Sequence, residues 1–384
     1  MTNTIIFLVN LFGVDSALQL PGFQCRVRIS MRLYYMDAMR STLMLLGVVL
    51  HAAQIYNPDH VWKVVSSERA IFFSELSNII HLFRMPAFFI VSGFFCLMTV
   101  IKYGEPVFIK LRSKRIMVPL ISTALLVNSV QEYLLGNLTV QRFFLDSGWL
   151  SHLWFLVNLC WYFLIAVFLV WVARQLPFLK GMLAISASEI LSRRWIILLL
   201  PGYDFLVIIL GKIIPIYSIS LGGVTLFGLL IYFQYFIFGL FLYRNKNMQY
   251  LFASFQWVYL LFLMIACIGV EIAPKLISGL GLEVVNIYLH GLITWLACQL
   301  CFCFFSKLFN RQSRVFFYLS DASYSIYLFH HLIVITLGIW IVQLEMNMYL
   351  GFSLIVISAM LLSLCIHHFL ILRLPLLRLL FNGK

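Results

Sequence analysis

Two residues in the apolar stretch DAMRSTLMLLGVVLHAAQ, Asp37 to Gln54, are able to do chemistry: Arg40 and His51. They stand eleven residues apart, almost three helical turns, so they lie about 20° apart on one face. Met44 and Gly47 fill the same stripe, and Asp37 sits one turn before Arg40, at i,i+3 pairing distance. With Arg40 near a membrane edge, a rise of about 1.5 Å per residue puts His51 roughly 16 Å deeper. An ionisable group at that depth is costly and marks a functional site. The bland alternative is a histidine hydrogen-bonded to a neighbouring helix. Asp37 is about 21 Å from His51 along the axis and cannot orient its ring. Glu75 and Glu132 are the remaining candidates for that task.

Four further segments carry polar groups of the same kind. In HLFRMPAFFIVSGFF, Arg84 is about 27 Å above Lys102, at a depth similar to that of His51. It suits an anion or sugar contact, or else it snorkels to headgroups. In the same segment Ser92 and Gly93 let another helix approach closely. The block KLRSKRIMVP puts Arg112 and Arg115 on one face where Arg40 emerges. Such a block serves topology and lipid contact, or the phosphates of a nucleotide-bearing donor, which Arg grips as a fork. SHLWFL brings His152 and Trp154 to the outer end of a span, either as an aromatic belt or as a sugar platform. DASYSIYLFHHL places His330 and His331 about 14–15 Å inside, with Tyr324, Tyr327 and His331 sharing a face. Adjacent histidines point about 100° apart, so at most one of them shares a cavity with His51.

The elements that position these groups are membrane helices. The chain is 63% hydrophobic and 11% charged, far from the roughly 25% charge of soluble domains. Apolar runs long enough to cross roughly 30 Å of hydrocarbon recur throughout. The fold class is therefore an all-α polytopic membrane protein, a bundle of about ten transmembrane helices. A β-barrel is excluded, because its strands would alternate and be about half as long. The ten spans are expected at 38–56, 72–101, 116–135, 152–173, 195–215, 223–243, 251–272, 283–306, 321–343 and 349–372. Pro201, Gly202 and Asp204 interrupt the fifth, which predicts a broken or re-entrant helix.

Of the 27 Lys and Arg residues, 21 fall in alternate connections, including 102–115, 174–194 and 307–314. That bias places both termini in the cytoplasm and argues against a nucleic-acid partner. Cys298, Cys301 and Cys303 lie close in sequence without an accompanying carboxylate or His, so packing is expected rather than a metal. Residues 1–30 make a poor signal peptide and are expected to be an extension without a role, with the functional domain at 31–384. The sequence shows no internal repeat, which counts against inverted-repeat transporters.

Taken as a set, Asp37-x-x-Arg40, His51 eleven residues after the Arg, FFIVSGFF, and the block around Arg112, Arg115 and Pro119 resemble the membrane-embedded acyltransferase 3 family. The likeness runs from about Tyr34 to Lys384. It is strongest to the branch that succinylates osmoregulated periplasmic glucans, on the segments HLFRMPAFFIVSGFF, SHLWFL, IYLFHHL and LRLPLLRLLFNGK. The resemblance implies His51 as catalytic base and Arg40, Arg112 and Arg115 as the acyl-donor site. It also implies a bacterial inner-membrane enzyme with succinyl-CoA or another acyl-CoA as co-substrate and no permanently bound cofactor. A periplasmic glucan would be the acceptor, and other glucan-biosynthesis proteins would be partners. From the residues themselves, Arg84, His152, Trp154 and His331 are expected to contact substrate, and Asp37, Ser92 and Gly93 to give structural support. Two alternatives stay open: O-acetylation of another envelope polysaccharide, and a transporter whose Arg and His residues line a permeation path.

Overall fold

The computed structural model describes residues 33–175 and 195–384, and Tyr34–Lys384 belong to one compact unit. The expectations for residues 1–30 and for the basic connection 176–194 lie outside the described residues. Among the described residues, nine helices are long and apolar enough to cross a membrane. The first two are α1 (Tyr34–Gln54) and α2 (Ile71–Tyr103).

The expected span at 116–135 differs from these. It belongs to a helical run in which α3 (Glu105–Arg112), α4 (Val118–Ser122) and α5 (Ser129–Leu134) alternate with π-helical turns at Ser113–Met117 and Thr123–Asn128. Each π turn holds an extra residue and rotates the helix beyond it. At the far end of the run, Gln131 and Glu132 are both buried. The next spanning helix is α6 (Trp154–Gln175).

The fifth span breaks where Pro201 removes a backbone donor. Its two parts are α7 (Ile196–Leu199) and α8 (Gly202–Ile213). Asp204, just past the break, accepts a hydrogen bond from Gln234 Nε2 at 2.7 Å, and Gln234 Oε1 accepts one from Trp295 Nε1 at 3.3 Å. A small hairpin of β1 (Ser220–Leu221) and β2 (Val224–Thr225) leads into α9 (Leu226–Arg244), whose start Thr225 caps by accepting from the Gly228 N–H.

The short helix α10 (Lys246–Ala253) is separate from α11 (Trp257–Leu276), so this span begins six residues later than the expected 251. Then come α12 (Gly279–Leu308), α13 (Arg314–Gln343) and α14 (Met348–Cys365), which continues through a π-helical turn at Ile366–Ile371. The chain closes with α15 (Pro375–Asn382). The start of α13 also differs from the expected 321. Ser313 caps it by accepting from the Phe316 N–H at 3.4 Å, and the candidate span takes in the whole helix, Arg314–Gln343.

The site is framed by α1, α2, α6 and α13. One core cluster joins α1, α2, α13 and α14 through Val48, Tyr56, Phe73, Ile326 and Ile355. The α2–α9 crossing depends on two small residues. A Cβ at Gly93 would run into the Phe236 carbonyl, and one at Gly239 would lie 2.9 Å from Phe94 N. The expected close approach at Gly93 is therefore present, whereas Ser92 faces a cavity instead. Gly93→Ala should retain the fold but destabilise it by about 1–3 kcal/mol, because backbone has to shift. A lowered thermal unfolding midpoint in detergent checks this, and an unchanged midpoint would show the crossing to be looser than described.

Candidate active site

Three basic residues from two helical regions meet at one end of the bundle. A cavity of about 170 Å³ is lined there by Arg40, Arg112, Arg115, Ser320, Tyr324 and Lys384, among others. Arg40 donates to the Ser320 hydroxyl and pairs with Asp37 at 3.8 Å, the expected i,i+3 partner. Arg112 donates to Thr99 Oγ1 at 3.4 Å and lies over the rings of Phe108 and Phe163 at 5.6 and 5.3 Å. Burial lowers the Arg112 guanidinium to about 10, the Cys96 thiol pulls it back up, and Arg115 and Arg40 lower it further. It still carries its charge at neutral pH. Like charges gathered around one apolar-walled cavity favour an anion. Lys384 adds a fourth cation and pairs with Asp321, which lines the same space.

Deeper in the bundle a second cavity, of about 60 Å³, is lined by His51, His81, Arg84, His152, Trp154, Tyr327 and His330. Met44, Phe88 and Phe155 line both cavities, so the two adjoin across an apolar neck. Helices α1 and α13 both start at the basic end and are tied there by Arg40 and Ser320. Eleven residues on from Arg40 is His51, and ten on from Ser320 is His330, advances of about 16 and 15 Å. The two imidazoles therefore reach one level, with ring centroids 5.4 Å apart.

Gly47, one turn below His51, makes the space for Arg84. A Cβ there would lie 2.5 Å from Arg84 Nη1 and 3.5 Å from His330 Nε2. Arg84 has a buried Nε without a hydrogen-bond partner among the described residues, and Nη2 reaches only the Met85 sulfur, at 3.5 Å.

The ring of His51 is held by groups that the sequence pattern does not single out. Its Nδ1 is 3.3 Å from Gln54 Oε1, and Gln54 Nε2 is 3.4 Å from His81 Nε2. If the amide nitrogen donates to His81, the amide oxygen must accept the Nδ1 proton of His51, leaving Nε2 with its lone pair. Trp62, from the loop after α1, stacks on His51 at 5.6 Å and 18°. His331 meets His51 edge-on at 4.7 Å, and His152 stacks on His331 at 4.7 Å and 15°. A polar chain backs this group: Lys63 pairs with Glu132 at 2.8 Å, Gln131 Nε2 donates to Glu132 at 3.2 Å, and Gln131 Oε1 accepts from His331 Nδ1 at 2.6 Å.

The structure thus brings together Arg40, Arg112 and Arg115 at one cavity, and His51, Arg84, His152 and Trp154 at the other. Trp154 belongs to the cavity wall, with its ring 5.4 Å from that of Tyr232, rather than to a surface belt. His331 is not among the residues lining the deeper cavity. It lies behind His51, and its neighbour His330 lines the space instead. Glu75 is exposed, and Glu132 reaches His51 only through Gln131 and His331, so Gln54 is the residue at the ring. One signal for Gln54 was available: it stands at i+3 from His51 on the same helix. Trp62 and Lys63 sit in a loop, for which no periodicity exists to read.

Residues 33–368 match the family described as an acyltransferase domain. The chain is 28% identical over 373 residues to glucans biosynthesis protein C of Escherichia coli strain SMS-3-5 / SECEC, covering 92% of this chain and 95% of that protein. The same figures hold for glucans biosynthesis protein C of Escherichia coli strain K12. No solved structure matches the chain.

With coenzyme A as a phosphate-bearing probe of this anion-favouring cavity, replacing Arg112 or Arg115 by Ala should weaken binding about tenfold each, or about 1.4 kcal/mol, with the loss shrinking as salt is raised. Calorimetric titration of the purified protein reads this directly, and salt-independent, unchanged affinity would remove the basic cavity as an anion site.

Proposed function

The chain belongs to the acyltransferase 3 family, and on that premise we propose that it moves an acyl group from acyl-CoA to a hydroxyl of a periplasmic glucan. The observation that carries this reading is the meeting of two unlike cavities, one basic and one rich in histidine, at the neck formed by Met44, Phe88 and Phe155. The Lys and Arg distribution supports a cytoplasmic location for the basic end and both termini, in a bacterial inner membrane. The phosphates of coenzyme A rest on Arg40, Arg112 and Arg115, in the forked geometry guanidinium offers. The pantetheine arm runs along the Met44–Gly47 face, and the thioester arrives beside His51 and Arg84.

A glucan hydroxyl entering from the opposite side gives its proton to His51 Nε2 as its oxygen bonds to the acyl carbon. Gln54 holds the His51 tautomer, and Trp62 covers one face of the ring, excluding water from that side. Trp154, with His152 at its side, offers an aromatic wall for the sugar ring. His331 acts through His51, whose edge it touches, rather than on substrate.

The donor we propose is succinyl-CoA. Arg84 has an unsatisfied Nε and lines the cavity into which the acyl chain extends, so it suits the free carboxylate of a succinyl group. The names of the relatives, glucans biosynthesis protein C, support an osmoregulated periplasmic glucan as acceptor.

Two experiments test the reading. In a strain lacking its own activity, the intact protein should restore succinylated, anionic glucans, whereas His51→Ala at equal membrane level should leave them neutral, as seen by ion exchange and mass. Restoration by both would make His51 structural. Arg84→Gln should impair succinyl transfer at least tenfold more than acetyl transfer, and equal loss of both would deny Arg84 the carboxylate.

A further inference from the structure

His330 is neither the base nor a substrate contact in this scheme, yet its ring is prepared for a task. It is 2% exposed, and its Nδ1 lies 3.1 and 2.8 Å from the carbonyl oxygens of Ile326 and Tyr327. Two carbonyls can only accept, so Nδ1 carries the proton and Nε2 of the neutral ring carries a lone pair. That Nε2 has no partner among the described residues, although His330 lines the deeper cavity. An unpaired, buried acceptor is expensive to maintain and points to an absent ligand. The lone pair cannot receive a carboxylate or an oxyanion. It can receive a proton or attack an electrophilic carbon.

Two observations choose between these. Proton acceptance is already provided by His51, and one hydroxyl has one proton to lose. The Nε2 of His330 also lies against Gly47, 3.5 Å from where a Cβ would stand, in the space that Arg84 Nη1 shares. Gly47 belongs to the stripe along which the donor arm runs, so this lone pair borders the donor's path. The space is also narrow: about 60 Å³ holds a few water-sized groups. A short acyl chain fits there, but a pantetheine arm and a sugar together do not.

Resting on the acyl-transfer reading, we propose that His330 is the acyl carrier, so that donor and acceptor use the neck in turn. In the first step the Nε2 lone pair attacks the thioester carbon, an N–C bond forms, the C–S bond breaks, and coenzyme A leaves as thiolate toward the basic cavity. The resulting acyl-imidazolium keeps its Nδ1 proton, and the carbonyls of Ile326 and Tyr327 face the positive charge. In the second step the glucan oxygen attacks the same carbon, His51 takes the hydroxyl proton, the N–C bond breaks, and the lone pair returns to His330 Nε2. His51 then releases its proton to water on the glucan side, and the thiolate takes one on the donor side.

The test uses the full-length protein in nanodiscs with succinyl-CoA, with or without neutral glucan. Without glucan, the wild type should release a burst of thiol equal to the protein present, and hydroxylamine should trap an equal amount of succinyl hydroxamate. His51→Ala should keep the burst and the trapped adduct but form no glucan ester. His330→Asn, whose amide can still donate to the two carbonyls, should lose burst, adduct and ester, the ester by about a thousandfold. Its monodispersity and melting temperature should match the wild type, and His330→Gln, which restores an acceptor but no nucleophile, should be equally inactive. A wild type that succinylates glucan without burst or adduct overturns the carrier and leaves the acyl-transfer reading standing. A burst that survives in His330→Asn overturns it as well. A wild type that forms no ester with both substrates present removes the acyl-transfer reading and the carrier with it.

Discussion

A guanidinium placed deep between apolar helices has to be given room, and the structure arranges itself around meeting that requirement. Gly47 supplies the room, since any side chain there would occupy the position of Arg84 Nη1. Among the described residues, Arg84 Nε and His330 Nε2 have no hydrogen-bond partner. Buried polar groups are ordinarily satisfied, so unsatisfied ones gathered around one small cavity mark where a polar ligand belongs. The same helix positions Arg40 and His51 on the Gly47 stripe, so the demands of space, charge and base are met along a single face of α1.

The remainder of the bundle holds that face in register. The hydrogen bond from Arg40 to Ser320 pins α1 to α13 at the basic end, and matched advances along both helices then bring His51 and His330 to one level. The crossing of α2 and α9 at Gly93 and Gly239 brings the Arg84 helix against its neighbour. From the opposite end, Lys63, Glu132 and Gln131 form a polar chain to His331, and Trp62 closes over His51. The two cavities differ in chemistry because their walls come from different parts of the same helices. One wall gathers Arg40, Arg112, Arg115 and Lys384, and the other gathers His51, His81, His152, His330 and Trp154.

Much of this was legible in the residues. The apolar runs marked the spans, since length and hydrophobicity are local properties of a membrane helix. The interruption at Pro201 and Gly202 showed as a break because a missing donor acts where it stands. The stripe of Arg40, Met44, Gly47 and His51 came from helical period alone. Element starts were less visible where capping decided them. The Ser313 cap starts α13 at Arg314, ahead of the expected 321, and the run containing Thr123–Asn128 has π turns that apolar patterning does not announce.

What the sequence by itself determined, then, is everything carried within one helix: class, spans, the spacing of Arg40 and His51, and the pairing of Asp37 with Arg40. Tertiary structure decided which side chains from different helices share a space. Neighbouring histidines at 330 and 331 differ by about 100° of rotation. Only the packing of α13 against α1, with Gly338 seated against Ile55, settles that His330 faces the cavity while His331 bonds Gln131. The same holds for Trp62, whose loop has no period, and for Gln54, whose role depends on His81 across the site. Rotation about a helix axis costs nothing within the helix and is fixed only by its neighbours, so it is invisible until the bundle is assembled.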